Sequence, residues 1–111
     1  MLKDKVIYFG GSLPIPCRYQ KGVLALEDEA ITFRAGDEID LVIPLSHLKA
    51  VRMEEVKYYS SIGYFLHVEY EDERGQPQHL VVEVRSFIRR GRAIYKARRW
   101  VQELTPRIGR R

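Results

Sequence analysis

Cysteine is almost missing from this chain. Cys17 stands alone among 111 residues, so no internal disulfide can form, and the bridge-braced design of small secreted domains is excluded. A reducing compartment follows as the expectation, and a cytoplasmic one is the simplest. Long apolar runs are missing too: the longest uncharged stretches, Val6–Cys17 and Tyr58–Val68, fall short of the roughly 18–20 residues that span a bilayer. No transmembrane segment is expected, and the N-terminal stretch lacks the apolar region and small-residue cleavage site of a signal peptide. Internal repeats, low-complexity tracts and linkers are absent. At this length one core fits, so a single domain over residues 1–105 is expected, followed by a basic, flexible tail at 106–111.

The motifs of common chemistry are absent as well. No HExxH, paired cysteine, GxGxxG or Walker spacing occurs, and the acidic stretches "LEDEA" and "EDERG" lack the alternating oxygens of a calcium loop. His47, His67 and His79 are scattered, and Cys17 follows "PIP" in a stretch that matches no nucleophile signature. His67 alternates with Leu66 and Val68, which reads as a surface or hydrogen-bonded sheet histidine. Neither a catalytic residue, a metal nor another cofactor is expected.

Hydrophobic residues at 45% and charged residues at 31% describe a folding globular chain rather than a disordered one. The net charge of +4 conceals an asymmetry: residues 1–84 carry 9 Lys and Arg against 14 Asp and Glu, whereas residues 85–111 carry 10 against 1. Such a split suits either a surface for polyanions or a basic helix lying on an acidic sheet.

Period-two patterning dominates the first part. Ile31 and Phe33 share a face, as do Ile39, Leu41 and Ile43 with Asp40 opposed, and then Val51 and Met53 against Arg52 and Glu54. Leu66, Val68 and Tyr70 rise to the turn "EDERGQPQ", and Leu80, Val82 and Val84 return, which is a hairpin. "YFGG" ends a possible further strand near the N-terminus. Six or seven short antiparallel strands result. From Ser86, a candidate N-cap, the period becomes helical: Phe87, Ile94, Ala97, Val101 and Leu104 form one stripe, and Pro106 with Gly109 ends a helix at about 86–104. Trp100 falls at the edge of that stripe. Arg89, Arg92, Lys96 and Arg99 cluster opposite it.

Strands followed by one terminal helix predict a mainly β, α+β domain: an antiparallel, six- to seven-stranded, partly open barrel closed by the C-terminal helix. Gly22, Leu24, Leu26, Ile31 and Phe33, followed by Ile43, Pro44, Leu45, Leu48 and Val51, resemble the "G-x-L-x-L-x-x-x-x-I-x-F" and "I-P-L-x-x-L-x-x-V" segments of the pleckstrin-homology-like superfold, in particular its GRAM-type and bacterial members. The resemblance runs over residues 20–104. It implies a non-enzymatic binding or assembly module for lipids, proteins or further copies of itself. The "LEDEA" turn, read as the first hairpin of such a domain, would repel an anionic headgroup, so phosphoinositide recognition is not expected there.

Two surfaces are candidates for binding. Tyr58, Tyr59 and Tyr64 in "KYYSSIGYF", if exposed, suit a protein partner or a membrane interface, and if buried are core and cross-strand pairs; self-association would run through a sheet edge. Arg89, Arg92, Lys96 and Arg99 suit an anionic membrane surface or nucleic acid, although no helix-turn-helix pair, RNP-type strand or zinc knuckle supports the latter. The first surface is the expected one, the second the alternative.

Overall fold

In the computed structural model, residues 2–12, 20–36, 39–59, 61–85 and 90–108 are described. Seven strands come first: β1 (Leu2–Gly11), β2 (Gln20–Leu26), β3 (Ala30–Ala35), β4 (Ile39–Pro44), β5 (Leu48–Lys57), β6 (Ile62–Glu71) and β7 (Pro77–Val84). A 3-10 turn at Leu45–His47 joins β4 to β5, and the helix α1 (Arg90–Leu104) runs into a second 3-10 turn at Thr105–Arg107. All strands belong to one antiparallel sheet in the order β4-β3-β2-β1-β7-β6-β5. The sheet is not closed: β4 and β5 are its two edges.

Strand β1 sits at the centre of this order. It pairs with β2 (Val6 opposite Gly22) and with β7 (Val6 opposite Val84). The patterning of "MLKDKVIYFGG" leaves it only a possible strand, because Asp4 interrupts the inward series Leu2, Val6, Tyr8. Its place also moves "LEDEA" to the second hairpin, between β2 and β3, where Glu27 N–H donates to the Ala30 carbonyl at 2.8 Å. The first antiparallel pair is β1–β2, so the acidic turn does not belong to the first hairpin.

Alternation decides what is buried. Leu24 and Leu26, Ile31 and Phe33, Ile39 and Ile43, Leu66, Val68 and Tyr70, and Leu80, Val82 and Val84 all turn to one core cluster together with Leu2, Val6 and Tyr8. The β6–β7 turn holds its shape through Asp72. Oδ1 accepts from the N–H groups of Arg74 (2.8 Å) and Gln76 (2.9 Å), and Oδ2 accepts from Gln78 Nε2 (3.0 Å). These donors, the Gln76 N–H foremost, hold the Asp72 carboxyl below its usual range.

Helix α1 packs against β5, β6 and β7. Its buried stripe is Ala93, Ala97, Trp100 and Leu104, with Ile94 and Val101 only half-buried. The expected stripe ran through Ile94 and Val101, so the helix is rotated towards Trp100, which is 0% exposed. A polar contact explains the rotation. Trp100 Nε1 donates to Asp4 Oδ2 at 2.9 Å, across 96 residues of sequence, and Lys96 Nζ lies 3.6 Å from Asp4 Oδ1. A carboxylate facing the core is costly unless such donors meet it; here the indole meets it and keeps its own N–H satisfied. Of the expected tail at 106–111, Pro106 and Arg107 lie in the 3-10 turn, and Ile108 donates its N–H to the Thr105 carbonyl while its side chain packs on the core. Ser86, Phe87 and Arg89 lie outside the described residues.

Candidate functional site

The β5–β6 hairpin ends in a turn closed by the Tyr58 N–H donating to the Ser61 carbonyl at 2.8 Å, just beyond the last ladder pair, Lys57 opposite Ile62. Around that turn Tyr58 is 46% exposed, Ile62 is 49% exposed and Tyr59 is fully exposed. Gly63 explains how Tyr58 lies down on the strand: a Cβ there would come within 2.8 Å of Tyr58 Cε2 and 2.7 Å of Glu83 Oε2. Tyr64, expected beside Tyr58 and Tyr59, is instead half-buried on the inward side of β6 and packs on the core. Strand parity puts Tyr64 and Ile62 on the same, inward face of β6, but Ile62 lies next to the turn and stays exposed. Strand β5 has a strand neighbour on one side only, so exposed apolar side chains and an open strand edge adjoin.

The helix presents a different chemistry. Arg92, Arg98 and Arg99 are exposed, with Tyr95 between them at 69% exposure. Lys96 is withdrawn from the expected cluster by its pairing with Asp4, and Arg89 lies outside the described residues. Arg98 and Tyr95 join the outward face because the helix is rotated.

A third constellation, absent from the sequence expectations, lies on the outer face of β5, β6 and β7. His67, 9% exposed, sits opposite Arg52 on β5 and opposite Val81 on β7, which places His79 diagonally across from it. Glu54 Oε1 lies 2.8 Å from His67 Nε2, and His67 Nδ1 lies 3.2 Å from His79 Nε2 and 3.3 Å from Arg52 Nη2. A carboxylate only accepts, so His67 Nε2 is the donor; in the neutral ring its Nδ1 then accepts, with His79 and Arg52 donating. The two imidazoles stack at 5.4 Å with 16° between their planes. Ser12 anchors His79 from the end of β1: the His79 N–H donates to Ser12 Oγ at 3.0 Å, and the Ser12 N–H donates to the His79 carbonyl at 2.7 Å. The only signal in the sequence is the register itself, which must be drawn before residues 12 and 13 positions apart become neighbours.

Burial pushes the His79 imidazole below its ordinary value of about 6.5; the charges of His67 and Arg52 act in the same direction and Glu69 opposes them. The folded state therefore binds fewer protons than the unfolded one. This contribution to stability is fully present above about pH 6.5 and is lost as pH falls through the window down to the lowered folded value. Denaturation midpoints measured between pH 7.5 and 5 should fall more steeply for the native chain than for His79→Gln, which keeps a donor towards His67 but does not titrate; parallel profiles would show that His79 carries no such linkage.

No group of three His, Cys, Asp or Glu able to hold a metal ion occurs among the described residues. No helix among them is long and apolar enough to cross a membrane. Cys17 lies outside them. Neither a family model nor a curated protein matches the chain.

Proposed function

We propose that this chain is a non-enzymatic, cytoplasmic binding module of pleckstrin-homology-like type that associates with a second copy of itself through the β5–β6 hairpin. The exposed trio Tyr58, Tyr59 and Ile62 beside the open edge of β5 carries this reading. Tyrosines with an apolar ring and a polar tip are enriched at interfaces, and an open strand edge offers backbone donors and acceptors to a second strand. The likeness to pleckstrin-homology-like domains gains support from seven antiparallel strands followed by one C-terminal helix. Function on such a fold resides in its surfaces rather than in its topology.

Light scattering of the purified protein at low and high salt tests the reading. A salt-independent dimer is expected, because burial of aromatic surface is little screened. The double replacement Tyr58→Ser, Tyr59→Ser should weaken it about tenfold or more, each lost aromatic anchor being worth on the order of 1 kcal/mol or more. A monomer at every concentration would overturn self-association.

A second reading rests on Arg92, Tyr95, Arg98 and Arg99, an exposed cationic face with an aromatic ring set into it. Arginines beside a stacking ring suit a nucleic acid or an anionic membrane surface. A monomer that binds a short duplex or anionic vesicles at low salt and releases them at high salt would favour it over the first.

A further inference from the structure

A cleft of about 290 Å³ opens on the outer face of the sheet where β2, β1 and the end of β7 meet, lined by Lys5, Val6, Ile7, Lys21, Gly22, Val23 and Arg85. We propose that it binds a small amphiphilic carboxylate, with its head group among Lys5, Lys21 and Arg85 and its apolar body on Ile7 and Val23.

Register builds the site. Lys5 stands opposite Val23 and Lys21 opposite Ile7, so two lysines and two aliphatic residues form a block of four on one face, the lysines on a diagonal. Arg85 follows Val84, the partner of Val6, and so flanks Lys5 on its other side. Diagonal neighbours on a sheet are roughly 7–8 Å apart, within reach of each other's long side chains. Three cations thus converge where cross-strand pairing ordinarily sets opposite charges together.

No acid among the described residues offsets them fully. Lys5 and Lys21 make no ion pair among the described residues, whereas Arg34 on the neighbouring strand is tied to Asp40 at 3.1 Å and Lys49 to Glu71 at 3.3 Å. Among the described residues, the carboxylate beside them is Glu83, 5% exposed, which accepts from Arg85 Nε at 2.6 Å. Glu83 orients the guanidinium through its Nε–H alone. Among the described residues a positive excess of two charges is left, which suits an anionic head group such as a carboxylate. The acidic β2–β3 turn does not interfere: Glu27 lies six residues along the strand from Lys21, about 20 Å at some 3.3 Å per residue.

The floor explains the apolar body. Ile7 is buried although it points outward, and Val6 and Gly22 contribute backbone whose polar groups are engaged in the ladder. Because Arg34 is neutralised, the positive charge does not continue onto β3. The site is a compact cup for one small ligand, not a track for a polymer.

The test is an amide-resolved NMR titration of the folded chain at low ionic strength with octanoate as probe, with acetate and 1-octanol as the head-only and tail-only controls. Octanoate should shift the amides of Lys5–Ile7, Lys21–Val23 and Arg85, and should bind at least about tenfold more tightly than either control. The double variant Lys5→Gln, Lys21→Gln, altering two exposed side chains, should keep native peak dispersion and lose about tenfold or more in affinity. Equal octanoate affinity in that variant, shifts confined to Arg92–Arg99, or acetate binding as tightly as octanoate would each overturn the proposal. Self-association through the β5–β6 hairpin does not enter this readout, so the two readings succeed or fail separately.

Discussion

Trp100→Ala should destabilise the domain by about 3–5 kcal/mol, the cost typical of deleting a buried aromatic side chain. Trp100 is fully buried and heads the core's largest side chains. Its removal leaves a void beneath the helix and strips Asp4 of its indole donor, so a carboxylate with only 10% of its side-chain surface exposed keeps Lys96 at 3.6 Å as its remaining partner. Urea denaturation followed by circular dichroism measures the loss, the fluorophore having been removed. Trp100→Phe separates the two contributions: it keeps most of the packing and loses the hydrogen bond to a charged acceptor, about 1.5–3 kcal/mol. Should Trp100→Ala unfold with the native midpoint, the helix would not be docked through this residue.

Gly11→Ala is the second large effect. Gly11 closes β1 with φ at +131°, beyond a bulge between Tyr8 and Gly10, and a Cβ there would stand 2.0 Å from the His79 carbonyl oxygen. Backbone strain of about 1–3 kcal/mol adds to a steric collision with main chain that no rotamer relieves, worth about another 1–3 kcal/mol. Gly10 provides the control. Its φ is +143° but a Cβ meets nothing within 4 Å, so Gly10→Ala should cost the strain alone. Equal losses from the two would show that the close approach of Gly11 to β7 is not what requires glycine. Gly11→Ala should also flatten the pH dependence assigned to His79, since the Ser12 bonds that fix that residue follow directly in the chain.

The antiparallel sheet and its C-terminal helix are legible in the sequence because apolar core residues recur at every second position, as Ile31 with Phe33 and Leu80 with Val82 and Val84 do. Strand β1 is not, and the reason is one residue. An inward Asp4 breaks the pattern, and its justification, Trp100, stands 96 positions away. The same contact decides the helix rotation: stripes through Ile94 and Val101 or through Ala93 and Trp100 share Ala97 and Leu104, and apolar spacing cannot rank them. Of the candidate surfaces, Tyr58 and Tyr59 are legible as an aromatic cluster beside a turn. Tyr64 is separated from them by its packing on the core, and Lys96 from the arginines by Asp4. Glu54, His67 and His79, like Lys5, Lys21 and Arg85, are assembled by register between strands, which composition and local spacing do not encode.

The position of β1 between β2 and β7 has a consequence in time. During synthesis β1 emerges first and can take β2 as a neighbour early, but its other side waits for Val84, and its Asp4 waits for Trp100. Until then the central strand of the finished sheet is an outer one, with a row of open amides and carbonyls beside Val6 and Tyr8. Pairings of such long sequence separation make folding slow and leave the nascent strand open to other chains. Lys5, next to Val6 in the chain, sets a charge in the strand whose second side waits longest for its partner, the kind of residue that discourages pairing with other chains.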